Sequence, residues 1–129
     1  MSERPGVVIW QDLILSILSV NQYSLEKTYK SVEALRMTEL FDPKNIASWS
    51  IDKIQDKLRE GGCDRGTFMT HLFAERIAAL GNHISSHGLE ECESILLEGT
   101  NEDIENLLLP VKGIGPKVLK NFCLLKQVN

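Results

Sequence analysis

Cysteine, aromatic residues and long apolar runs are all scarce in this 129-residue chain. The three cysteines, Cys63, Cys92 and Cys123, are odd in number and widely spaced, with no C-x-x-C. That pattern disfavours a disulfide framework, a zinc site and an iron-sulfur cluster, and it points to a reducing compartment. Only eight aromatics occur, too few to suggest a stacking platform for single-stranded nucleic acid. No apolar run approaches the roughly 18 residues of a membrane span, so no membrane partner is expected. The N-terminal stretch M-S-E-R-P-G-V-V-I-W lacks the basic start and clean apolar core of a signal peptide.

The period of the apolar residues is helical almost throughout. In V-V-I-W-Q-D-L-I-L-S-I-L-S-V, Trp10, Leu13, Ile14, Ile17 and Leu18 follow the spacing of one buried helix stripe. Asn21-Gln22-Tyr23 breaks that helix, and Ser24 is a cap for a second with Leu25, Thr28, Val32 and Leu35 on one side. A short helical turn after Thr38 is punctuated by Asp42-Pro43, and Ile46 to Trp49 reads as a brief apolar patch. Ser50 caps I-D-K-I-Q-D-K-L-R-E, which stops at Gly61-Gly62. The longest helix is expected from near Gly66 to about His87, with Phe68, Leu72, Phe73, Ile77, Leu80 and Ile84 as its stripe. Leu89 to Leu97 makes a shorter helix, Thr100 or Asn101 caps the next, and Pro116 suits the first position of the last. The sum is an all-α single domain over 1–129, a compact bundle of six to seven helices with short loops.

Charge is unevenly spread. The chain carries −4 overall, yet from Leu107 onward Lys112, Lys117, Lys120 and Lys126 face no Asp or Glu. The 106 residues before that hold the other 10 basic and all 18 acidic side chains. Within the basic end lies G-I-G-P-K. It is not a dinucleotide fingerprint, because Val118 stands where the third glycine belongs and no strand precedes it. It is not a phosphate-binding P-loop either, since Ser or Thr does not follow the lysine. What remains is helix, tight turn, helix. Gly113 and Gly115 can take positive φ and clear the approach to the backbone, while Ile114 tucks into the core. Amides at the start of the second helix then favour an anion, with Lys112 and Lys117 beside them, and a nucleic-acid phosphate fits. The alternative is a plain glycine-bearing connection with surface lysines. His83 and His87 stand at i, i+4, a spacing that can hold metal, but no third ligand is obvious, so helix-end contacts to carbonyls are expected instead. Cys123, beside Phe122 and Leu124, is expected in the core, and Trp10 and Trp49 as packing residues.

The run L-L-L-P-V-K-G-I-G-P-K-V-L-K-N-F, residues 107–122, closely resembles the helix-hairpin-helix motif of DNA-repair proteins. L-I-L-S-I-L-S-V-N-Q-Y-S from Leu13 resembles the early helix and polar loop of the endonuclease III-like DNA glycosylase superfamily. K-L-R-E-G-G-C-D-R-G before a long helix is similar to that family's next landmark, and the likeness extends from Trp10 to Leu125. The resemblance implies an endonuclease III-like bundle whose hairpin spans about 101–127. It implies a DNA-binding set of Lys112, Gly113, Ile114, Gly115, Lys117 and Lys120, with Asn21, or Gln22 one position on, near the residue that fills the gap left by a flipped base.

Lys117 falls at the family's Schiff-base position, where an amine attacks the sugar C1′ and allows β-elimination. The family's catalytic Asp lies beyond the second hairpin helix, and here no acidic residue follows Glu105. The second helical domain and its cluster-binding cysteines have no counterpart. The expectation is therefore non-sequence-specific grip on double-stranded DNA in a base-excision repair context, with no cofactor and no metal. A partner protein or second subunit would complete the cleft. Two rivals are an abasic-site lyase or glycosylase using Lys117, and a protein-interaction module that has lost DNA. The location implied is cytoplasmic and nucleoid-associated, or nuclear.

Overall fold

The computed structural model of the chain describes residues 5–19, 30–63 and 65–128, with side chains over 9–19, 30–63 and 65–125. Asn21, Gln22, Ser24, Leu25 and Thr28 lie outside the described residues. The described residues form helices and no strand. These are α1 (Pro5–Leu18), α2 (Val32–Met37), α3 (Pro43–Ser48), α4 (Ile51–Glu60), α5 (Thr67–His87), α6 (Leu89–Glu98), α7 (Asn101–Leu108) and α8 (Pro116–Val128). The all-α expectation holds. The helices among the described residues exceed the six or seven expected, and α3 is one that the sequence reading did not resolve.

Its origin is local chemistry. Asp42 does not end a helix but begins one: its carboxylate accepts a hydrogen bond from the Lys44 amide at 2.9 Å, and Pro43 takes the first helical position. Proline is tolerated there because that amide has no helical partner anyway. Before it, the turn expected to be helical after Thr38 instead carries Glu39 at φ +65°. Ser50 caps α4 by accepting from the Lys53 amide at 3.1 Å, and the chain then leaves α4 through Gly61 and Gly62.

The long helix α5 is the scaffold against which α3 and α4 pack. Its buried face runs through Thr70, Phe73, Ala74, Ile77, Leu80, Gly81 and Ile84. Phe68, expected in that stripe, is instead 78% exposed. It lies five residues before Phe73, which at 3.6 residues per turn puts it about 140° round the helix. Gly81 marks the closest approach: a Cβ there would run into the backbone carbonyl of Ile46 on α3.

α1 departs furthest from its expected single stripe. Every residue from Ile9 to Ser19 is buried, including Gln11, Asp12, Ser16 and Ser19. α8, α6 and α5 all pack on it, and a helix enclosed on all sides needs no polar face. Its hydroxyls turn back on their own helix, Ser16 donating to the Asp12 carbonyl at 2.7 Å and Ser19 to the Leu15 carbonyl at 2.6 Å. Gln11 accepts from Arg36 of α2 at 2.9 Å. Trp10, buried as expected, donates its indole N–H to Glu93 of α6 at 2.8 Å.

The glycine at the α3–α5 contact gives a direct check on this packing. Gly81→Ala should lower unfolding free energy by about 1–3 kcal/mol, because the added methyl meets backbone rather than a movable side chain. The exposed neighbour Asn82→Ala should stay within about 0.5 kcal/mol of the parent in the same urea titration. Equal midpoints for the two variants would show that the helices do not approach so closely.

Candidate functional site

The last two helices meet in a hairpin whose start is set by a capping box. Thr100 Oγ1 accepts from the Asp103 amide at 3.1 Å, and the Asp103 carboxylate accepts from the Thr100 amide at 3.1 Å. Ile104, Leu107 and Leu108 bury one face of α7. The chain then turns through L-P-V-K-G-I-G. The Val111 amide donates to Leu108 and the Ile114 amide to Val111, at 2.9 and 3.1 Å. Val111 and Ile114 are both buried, so the turn is pinned from inside by two branched side chains, as expected of Ile114. Pro116 opens α8, whose first backbone bond runs from the Leu119 amide to Gly115.

The two glycines do different work. Gly113 takes φ +92°, a left-handed conformation that side chains with a Cβ rarely adopt. Gly115 does not take positive φ, and a Cβ placed on it would meet nothing within 4 Å. Its bareness is not demanded by the chain's own packing. It leaves the backbone open to something outside the molecule.

The amides of Lys112, Gly113, Gly115, Lys117 and Val118 donate no hydrogen bond to any described residue. Lys112, Gly113 and Lys117 are exposed and Gly115 half-exposed. Neither Lys112 nor Lys117 forms an ion pair with a described residue. Five donors with no partner among the described residues, and two ammonium groups, therefore share one turn at the positive end of the α8 dipole.

Lys120 is placed differently. With Asn101, Glu105, Leu109, Pro116, Leu119 and Cys123 it lines a groove of about 270 Å³ between α7 and α8. Cys123, expected in the core, faces this groove half-exposed, its thiol 3.9 Å from Asn101 Oδ1. The inward face of α8 is taken by Val118, Leu119, Phe122 and Leu125, and Cys123 falls to the side of it.

The hairpin is fixed to the rest of the fold at three points. Asn121 of α8 donates to the Ser19 carbonyl at 3.1 Å, tying α8 to the C-terminal end of α1, just ahead of the region that contains Asn21 and Gln22. His83 of α5 donates its Nε2–H to the Leu107 carbonyl at 2.7 Å. This is the carbonyl contact expected of the histidine pair, made to α7 rather than to its own helix. The His83 and His87 rings stand 5.4 Å apart, and no group of three metal-binding side chains occurs among the described residues. The third point is Arg76 of α5, whose stem packs on Gly113. Nothing in the spacing of the sequence singled out Arg76. The available signal was a cation three residues after Phe73, beside the buried stripe.

No protein-family model, curated protein or solved structure matches the chain.

Two measurements follow from the hairpin's geometry. Gly113→Ala should cost about 1–3 kcal/mol in a urea titration, through its left-handed φ and the collision with Arg76. Gly115→Ala should change stability by no more than about 0.5 kcal/mol. The reverse order would mean that the turn is built otherwise. Among the thiols, burial pushes the Cys63 and Cys92 pKa values above the ordinary thiol range, so both stay protonated at neutral pH. A disulfide reagent should therefore modify Cys123 first and the other two only on unfolding. Mass mapping of the first adduct to Cys63 or Cys92 would contradict that order.

Proposed function

We propose that the chain grips the phosphate backbone of double-stranded DNA through the 111–118 turn, without reading base sequence, in a base-excision repair setting. The observation that carries this reading is the set of five amides with no partner among the described residues, gathered with Lys112 and Lys117 at one turn whose residues 112, 113 and 117 are exposed. An anion satisfies such donors directly, and the helix dipole adds to the attraction. Contacts of this kind position a protein on a duplex and carry no sequence information themselves. The likeness of residues 107–122 to a helix-hairpin-helix motif supports the same reading, with the bundle corresponding to the helical-barrel half of an endonuclease III-like glycosylase. In that arrangement a partner protein or second subunit would complete the cleft.

Electrostatics limits the strength of the grip. The net charge of −4 repels a polyanion everywhere except near the basic end. Few phosphates are engaged, so affinity should be modest and easily screened.

Fluorescence anisotropy with a labelled mixed-sequence duplex tests the reading. Binding should appear at low salt, with log K falling against log[salt] at a slope of about −2 to −3. Lys112→Glu and Lys117→Glu should each weaken it by about tenfold, and scrambling the duplex sequence should leave it unchanged. Absence of binding at low salt, or indifference to both charge reversals, would reject the reading and favour a hairpin that is purely structural.

A further inference from the structure

The turn does not stand alone as a cationic surface. Arg76 projects from α5 across Gly113: a Cβ built on that glycine would fall 2.6 Å from the Arg76 Cδ and 2.9 Å from its Nε. The left-handed, side-chain-free residue at the tip of the hairpin is therefore the seat of an arginine from a different helix. The Arg76 Cζ lies 5.9 Å from the ring centroid of Phe73, at the outer reach of a cation–π contact, and Phe73 itself is buried. A second guanidinium, that of Arg65, lies over the same ring at 4.9 Å and also donates to the Leu18 carbonyl.

Arg76 has no such acceptor. It makes no ion pair and no hydrogen bond with any described residue, and the neighbouring carboxylate, Glu75, sits 3.5 Å from the His71 Nε2 instead. A half-buried arginine, within reach of an aromatic ring and with its stem against a turn whose amides have no partner among the described residues, is poised for an anion from outside.

We propose that Arg76 is a phosphodiester ligand of the hairpin, completing from α5 a site that the turn amides and Lys112 begin. This rests on the reading of the turn as a DNA backbone contact. The amides supply short-range donors of fixed direction. Arg76 supplies a planar fork, matched to two oxygens of one phosphate, with its stem lodged against Gly113. Lysine at this position would keep the charge and lose the fork.

The test uses the full chain, the same labelled duplex, and the variants R76Q, R76K, K112E and K53Q. Lys53 lies on α4 with its ammonium 4.9 Å from the Trp49 ring centroid, and it controls for simple loss of one positive charge. R76Q should bind about 5–20-fold more weakly than the parent and flatten the salt slope by about one. R76K should keep the slope and bind about 2–5-fold more weakly, and K53Q should stay within about twofold. If R76Q matches the parent while K112E binds weakly, Arg76 is not a ligand and the hairpin reading stands without it. An equal loss in K53Q and R76Q likewise overturns the contact, since only net charge would then matter. If the parent itself does not bind, both readings fall. Should circular dichroism show R76Q unfolded, R76K decides: affinity equal to the parent overturns the guanidinium contact.

Discussion

The arrangement depends on one helix that has no described solvent face. α1 is buried from Ile9 to Ser19, so every polar group it carries there has to be met inside the protein. Ser16 and Ser19 meet theirs by bonding back to their own helix, Gln11 through Arg36, and Trp10 through Glu93. Each of the last two bonds joins a different surrounding element to the centre. The enclosed helix thus sets where α2 and α6 lie, and its last carbonyls set more. Leu18 accepts from Arg65 and Ser19 from Asn121, so α8 and the segment entering α5 converge on the same end of α1.

That convergence is what makes the hairpin an asymmetric surface. α5 runs beneath it, bonding Leu107 through His83 at one point and laying Arg76 across Gly113 at another. The turn is held from below by Val111 and Ile114, and five amides at it have no partner among the described residues. A turn that satisfied those donors internally would have the same glycines and nothing to offer an anion. Positive charge here is concentrated rather than abundant, because most of the chain is acidic and the lysines after Leu107 have few carboxylates near them. On the far side of α8 the surface changes character. There Lys120 shares a groove with Glu105, and the lining is largely apolar.

Much of this was legible one residue at a time. Helix ends were readable where one residue acts on its own neighbourhood: Ser50 and Thr100 by side-chain caps, Gly88 by its backbone N–H and left-handed φ, Pro116 by its fixed ring at the first helical position. The turn at 109–115 was readable for the same reason, down to the inward Ile114. Local rules misled where two of them competed. Asp42-Pro43 can end one element or begin the next, and the cap bond to Lys44 decides for the second. Phe68 has the hydrophobicity of a core residue but the wrong angular phase, and phase is lost when a stripe is extended past its first member.

By itself the sequence determined the helical class, most of the described helix boundaries, the tight turn at Gly113 with Ile114 inward, and Lys112 and Lys117 beside it, but not the φ of Gly115. Each of these follows from interactions between residues close along the chain. Only the tertiary structure decided that α1 is enclosed from Ile9 to Ser19, that Gly81 admits the Ile46 carbonyl, and that Gly113 seats an arginine from 37 positions earlier. It also decided that Gly115 is bare toward solvent rather than toward a neighbour. The reason is geometric: periodicity tells which side of a helix is apolar, but not how many other helices will cover it, nor which distant side chain will arrive at a gap.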